Sequence, residues 1–263
     1  MSKLPIPARV YVVLLSVSGL ALAALAAVRI PRDVAQECLP FILLSAIAST
    51  MRVRLLPLAL RSRSEQSGAA EMSVAFAFSY TAVLLGGAYP GALAGLASGL
   101  ASSLLFTSRR HPVYRIAFNG ACLVWSAWIA ALVLGRIGHV IPGGPLWRSV
   151  LAVAASTYAY YLVNTMSVAG AVALSQRLPF WSTWSEGFLW TAAPGYFVGA
   201  LAAAGIAYYY AQVHLLSFAV TLPALYLSYR SYKAYIGKVE ETQARLEEVQ
   251  ALYKESLQLV TQA

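Results

Sequence analysis

The chain has 263 residues, of which 59% are hydrophobic and only 11% charged, against about 25% charged in an average soluble domain. That composition excludes a soluble globular protein. The formal charge of +9 sits in short basic clusters between apolar runs, a pattern that sets membrane orientation and argues against a nucleic-acid partner. No charged side chain occurs over 72–107, 116–135, 149–176 or 187–229. The first and last of these runs can each hold two spans of about 20 residues. The expected fold is all-α, a polytopic membrane bundle of about eight spans over 1–229, followed by a cytoplasmic coiled-coil helix over 230–263.

In chain order, span one covers about Val10 to Val28, with Lys3 and Arg9 ahead of it; its length favours an uncleaved first helix over a signal peptide. Span two starts near Leu39 and is cut short by Arg52 and Arg54, so "MRVRLLPLALRSR" reads as an interfacial or extended connector. Spans three and four, about Glu71–Gly87 and Pro90–Phe106, form a hairpin around "GGAYPG", whose Gly and Pro mark a turn. Span five runs from about Tyr114 to Leu134, and span six from Val150 to Leu174. Spans seven and eight, about Phe188–Tyr208 and Val213–Tyr229, are joined by very little loop. With both termini cytoplasmic, 15 of the 19 Lys and Arg residues fall inside, leaving Arg29, Arg32, Arg136 and Arg148 outside. That asymmetry places the tail in the cytoplasm.

Small residues recur every four positions at Gly91, Gly95, Gly99 and Ser103, and again at Gly195, Gly199 and Ala203. Such rows let helix backbones approach closely in lipid, and packing within the bundle is the simpler reading than a subunit interface. Amides inside hydrocarbon need partners, so Asn119 and Asn164 are expected to bond across the bundle. With Trp125, Trp128, Tyr158 and Tyr161 they are candidates to wall an apolar ligand pocket. Glu71, at the start of span three, is the acidic candidate for that pocket. Cys38 and Cys122 stand singly in apolar stretches, as buried bystanders.

Catalytic patterns are missing. There is no H-E-x-x-H, no phosphate loop and no acidic cluster for magnesium, so no catalytic residue, metal or cofactor is expected.

The end of the chain, "YIGKVEETQARLEEVQALYKESLQLVTQA", holds eight of the 29 charged residues. An apolar residue recurs every seven positions at Tyr232, Val239, Leu246, Tyr253 and Val260, beside a mixed stripe of Tyr235, Thr242, Val249 and Ser256. A lone helix of this kind is stable only when its stripe is buried, and the simplest partner is the same helix of a second copy. Its mixed, Glu-rich charge argues against a helix lying on the bilayer.

The segments "AAEMSVAFAFSYTAVLLGGAYPGALAGLASGL", "RHPVYRIAFNGACLVWSAWIAALVLG" and "YYLVNTMSVAGAVALSQ" resemble the N-terminal membrane region of bacterial cyclic-di-GMP signalling proteins. In that family a multi-span sensor module of the MASE class precedes an HD-GYP phosphohydrolase or GGDEF cyclase domain. The tail is similar to the signalling helix leading into such an HD domain. The resemblance implies a sensory input module, dimeric through its tail and responsive to a small-molecule or membrane stimulus, with the output domain beyond residue 263. The family's metal-binding His/Asp pairs have no counterpart here, so none is carried over. The alternative is a substrate-binding membrane subunit of a transporter, similar to the S components of energy-coupling-factor importers, for which the coiled-coil tail is superfluous.

Overall fold

Proline and glycine punctuate the chain where its helices begin and end. In the computed structural model, which describes residues 4–50, 52–54, 71–104, 112–138 and 146–219 and scattered positions from 222 to 249, α1 (Ile6–Arg29) opens behind Pro5. It ends ahead of Pro31, which caps α2 (Arg32–Ala48). Proline suits these positions because its fixed φ fits the first turn and its missing N–H would be unpaired there anyway. A two-stranded antiparallel ladder follows, β1 (Arg52–Arg54) on β2 (Glu71–Ser73), with Arg54 opposite Glu71. Next come α3 (Ala75–Gly86) and α4 (Ala88–Leu104), joined through Gly87 alone. Gly87 has φ of +76°, open to glycine and hostile to other L-residues. Pro112 opens α5 (Val113–Ile137), and Gly138 closes it. The long α6 (Leu146–Gln176) ends at Arg177, whose φ of 57° is left-handed, and the Leu178 N–H turns back to the Ala173 carbonyl at 3.0 Å. A short α7 (Phe180–Trp184) runs into a π-helical turn at Ser185–Leu189 and then α8 (Trp190–Val213), which breaks at His214.

The expected helical bundle is present, with differences of detail. Two described helices, α1 and α5, are long and apolar enough to cross a membrane. A third span exists if α7, its π turn and α8 are one element bent by 54°. Other expected spans are shorter or more polar: α3 has 12 residues, and the 17 of α2 include Arg32, Asp33 and Glu37. Glu71 does not open a span. It belongs to β2, and the helix starts at Ala75 because 71–73 pair with the extended "RVR" segment instead. The connector at Arg52–Arg54 is extended, as its clustered arginines suggested.

Helix α5 is the hub, packing on α1, α3, α4 and α6. Helix α3 is enclosed by α2, α4, α5 and α8, and Ala75 and Ala77 to Val83 are all buried. Glycines set the closest approaches. A Cβ on Gly19 would lie 2.6 Å from that of Ala121, one on Gly95 2.9 Å from the Leu123 carbonyl, and one on Gly99 2.6 Å from the Gly120 Cα. The row at 91, 95 and 99 is therefore the α4 face that meets α5, together with Val83 of α3 at Gly91. Where hydrocarbon surrounds helices, such fit supplies the attraction that the hydrophobic effect supplies in water.

Hydroxyls stitch the helices by donating into a neighbour's backbone. Ser156 reaches the Ala130 carbonyl at 2.8 Å, Ser45 that of Ala94 at 3.0 Å, and Tyr210 that of Glu37 at 3.3 Å. A helical carbonyl already bonded in its own ladder keeps a second lone pair, so these links cost the helix nothing.

Candidate functional site

The structure separates the predicted pocket residues into several places. Asn119, on α5, turns its Nδ2 toward α4, where the Gly99 carbonyl lies at 3.4 Å and the Ser102 and Ser103 hydroxyls at 3.3 Å. The Gly99–Gly120 contact brings those groups within reach. Trp125 donates its Nε1 hydrogen to Ser18 of α1 at 3.0 Å. Trp128 meets Tyr89 edge-on at 5.7 Å. Tyr158 is 51% exposed on the outer face of α6. Asn119, Trp125 and Trp128 each tie α5 to a neighbouring helix, and with the exposed Tyr158 they do not come together in one place. Side-chain amides and indoles were sound sequence signals for partnered polar groups, but not for a shared cavity.

Two of the predicted residues do converge, with others the sequence reading did not single out. Asn164 of α6 donates to the hydroxyl of Tyr196 on α8. Tyr196 packs on Tyr161, Tyr160 and Phe76, with ring centroids 5.6, 5.9 and 4.9 Å away. Phe76 stacks on Tyr80 one turn along α3 at 5.3 Å. Gly199 makes room, because a Cβ there would lie 2.5 Å from the Phe76 ring. The i,i+4 pair Phe76 and Tyr80 was visible in the sequence, as was Tyr196, but no periodic rule links α3 to α8 across more than 100 residues.

Two further hydroxyls of this cluster, those of Tyr80 and Tyr161, face backbone. Tyr80 donates to the Val153 carbonyl of α6 at 3.1 Å and lies 3.1 Å from the Thr157 hydroxyl. Tyr161 donates to the Leu189 carbonyl at 2.9 Å, at the end of the π turn. That turn is short of donors, since Pro194 has no N–H to offer the residues before it. Trp184, on the same segment, donates to Thr165 of α6 at 3.1 Å. The α6 residues Tyr161, Asn164 and Thr165 thus grip three successive parts of the bent α7–α8 unit: α7, the π turn and α8. A π turn holds one more residue than the α-helix on either side and is a place where a helix changes register at small cost.

Beyond Val213, the His214 φ of 47° breaks α8, and helical positions resume after it. Of the heptad residues, Tyr232, Val239, Tyr253 and Val260 lie outside the described residues. Leu246 is described and helical. Glu241 and Arg245 form an i,i+4 ion pair, with 2.6 Å between Oε1 and the guanidinium. Both cysteines are free and buried, and among the described residues no group of His, Cys, Asp and Glu could hold a metal ion. The cluster ties α8 to α3 and α6. No family model, curated protein or solved structure matches the chain.

Proposed function

We propose that this chain is a membrane-embedded sensory input module of about eight spans, which relays its state through a dimeric, cytoplasmic C-terminal helix. The output domain that this helix would drive is of the cyclic-di-GMP class, most naturally an HD phosphohydrolase. The observation that carries the reading is the exposure of two described heptad residues. Leu246 and Val249, neighbouring positions of the two heptad stripes, are 57% and 61% exposed in a single copy. Glu241 and Arg245 form an ion pair nearby on the same charge-rich segment. Two exposed aliphatic residues three apart on a charged helix are what a parallel partner helix covers.

The bent α7–α8 unit supports the relay. Its π turn and the His214 break flank the one helix that connects the aromatic cluster to the tail. A stimulus that favours one packing of α6 on α8 shifts the population of tail arrangements by its differential affinity for the two.

Cysteine cross-linking in membranes containing the full chain tests this. Leu246→Cys is expected to give a disulfide-linked dimer, and Glu241→Cys, off the stripe, much less of it. Equal cross-linking at both positions, or none at Leu246→Cys, would sink the dimeric relay.

A further inference from the structure

An open cleft of about 570 Å³ lies between the start of α1, the last turns of α6 and the entry to α7. Tyr11, Met166, Gly170, Leu174, Leu178 and Phe180 are among its walls. The lining is almost wholly apolar. Its most prominent polar group, the Tyr11 hydroxyl, is already committed, donating to the Ser167 carbonyl at 3.2 Å. Gly170 shapes the floor, since a Cβ there would lie 2.9 Å from the Tyr11 hydroxyl and push the ring off α6.

Leu174, Leu178 and Phe180 line the cleft, and an exposed cation and an exposed indole adjoin them in sequence. Arg177, next to Leu178, is exposed and held at the left-handed end of α6. A charged, β-carbon-bearing residue at that position, where glycine is usual, costs about 1 kcal/mol or more of backbone strain. Trp181, 66% exposed beside Phe180, follows on the short α7. The nearest described acid along this segment, Glu186, accepts a hydrogen bond from Ser182 at 2.9 Å. A cation and an indole next to the walls of an apolar slot supply the three chemistries of a leaflet surface: phosphate, interface and acyl chain.

We infer that this cleft seats one acyl chain of an anionic phospholipid, with Arg177 at its mouth meeting the phosphate. A free second copy of the chain fits the observations less well, because among the described residues next to the lining there is a cation, Arg177, and no acid beside it. The inference rests on the membrane reading and deepens the proposed sensory role by naming a class of stimulus. Lipid binding and tail dimerisation are measured separately, so either fails without the other.

The test uses the full chain, reconstituted in nanodiscs of phosphatidylglycerol and phosphatidylcholine and released into native mass spectrometry. The wild type is expected to retain one lipid per chain, with phosphatidylglycerol enriched several-fold over the bath. Arg177→Gln is expected to keep a lipid at the bath ratio. Leu174→Trp, which fills the cleft from a side chain already 36% exposed, is expected to release it while the melting temperature stays near that of wild type. Met166→Trp serves the same purpose if Leu174→Trp does not fold. A wild type that retains no lipid, or a folded cleft-filled variant that retains as much, overturns the site. Equal enrichment in wild type and Arg177→Gln overturns the headgroup assignment. Dimerisation lost on filling the cleft would hand it to a second copy.

Discussion

The hydroxyl of Tyr161 donates to the Leu189 carbonyl at 2.9 Å, joining α6 to the π turn that precedes α8. The Tyr161 ring is buried, and its bond reaches a half-buried carbonyl. Removing the hydroxyl forfeits one hydrogen bond, worth about 0.5–1.5 kcal/mol. Tyr161→Phe is expected to lower the unfolding temperature in detergent, measured against Tyr158→Phe. Tyr158 is half-exposed on the same helix, and its variant is expected to match wild type. Equal melting of the two variants would show that the Tyr161 bond does not hold the bent helix.

Two glycines on facing helices predict opposite outcomes. A Cβ at Gly99 meets the Gly120 backbone at 2.6 Å, which no side-chain motion can relieve. Gly99→Ala is therefore expected to destabilise by about 1–3 kcal/mol through displaced helices, and to loosen the Asn119 contacts. At Gly135, also helical, a Cβ would meet nothing within 4 Å. Gly135→Ala is expected to be neutral or to stabilise by up to about 1 kcal/mol. Thermal melts of both variants decide; a mild Gly99→Ala would mean that α4 and α5 separate at little cost.

At Gly87 the space is open, and the backbone alone sets the penalty. Its φ of +76° with ψ of −145° is a glycine region, and nothing lies within 4 Å of an added Cβ. Gly87→Ala is expected to cost about 1–3 kcal/mol. Chemical denaturation checks it, and an unaffected midpoint would place the α3–α4 turn in a different conformation.

Asn164 and Tyr196 are partners across α6 and α8. Interhelical side-chain bonds in membrane proteins average only about 0.6 kcal/mol, because the unfolded chain in lipid finds partners too. A double-mutant cycle with Asn164→Ala and Tyr196→Phe is expected to return a coupling of about that size. A coupling near zero would leave ring packing alone in charge of that contact.

What was legible beforehand followed from patterns local in sequence. Uncharged runs located α3 to α6 to within a few residues, while α2 begins at Arg32, seven residues before the expected Leu39; prolines 31 and 112 and glycines 87 and 138 stand where helices start or stop. The four-residue glycine row announced a close helix contact, since any helix with such a row has one backbone-near face. Its partner was not legible. Many apolar faces in this chain are chemically alike, and nothing local singles out the Leu123 carbonyl and Gly120 as the surfaces that meet Gly95 and Gly99. The same limit dispersed the expected pocket: Asn119, Trp125 and Asn164 each found a bonding group on a different helix. Glu71 was misplaced because a short β ladder, unlike a span, leaves no compositional trace.

Sequence alone determined that this chain is helical and built for an apolar surround, because composition and the period of polar residues depend on solvent and not on topology. It also determined the helix boundaries at Pro31, Gly87, Pro112 and Gly138, since proline and glycine act on their own backbone. Tertiary structure decided which helices touch, that Tyr196 is where α3, α6 and α8 converge, and that a cleft opens beside Tyr11. Those outcomes depend on contacts between residues up to 173 positions apart, as in the Tyr210–Glu37 bond. Contacts at that range are selected by mutual fit among many similar faces, which no single stretch of sequence contains.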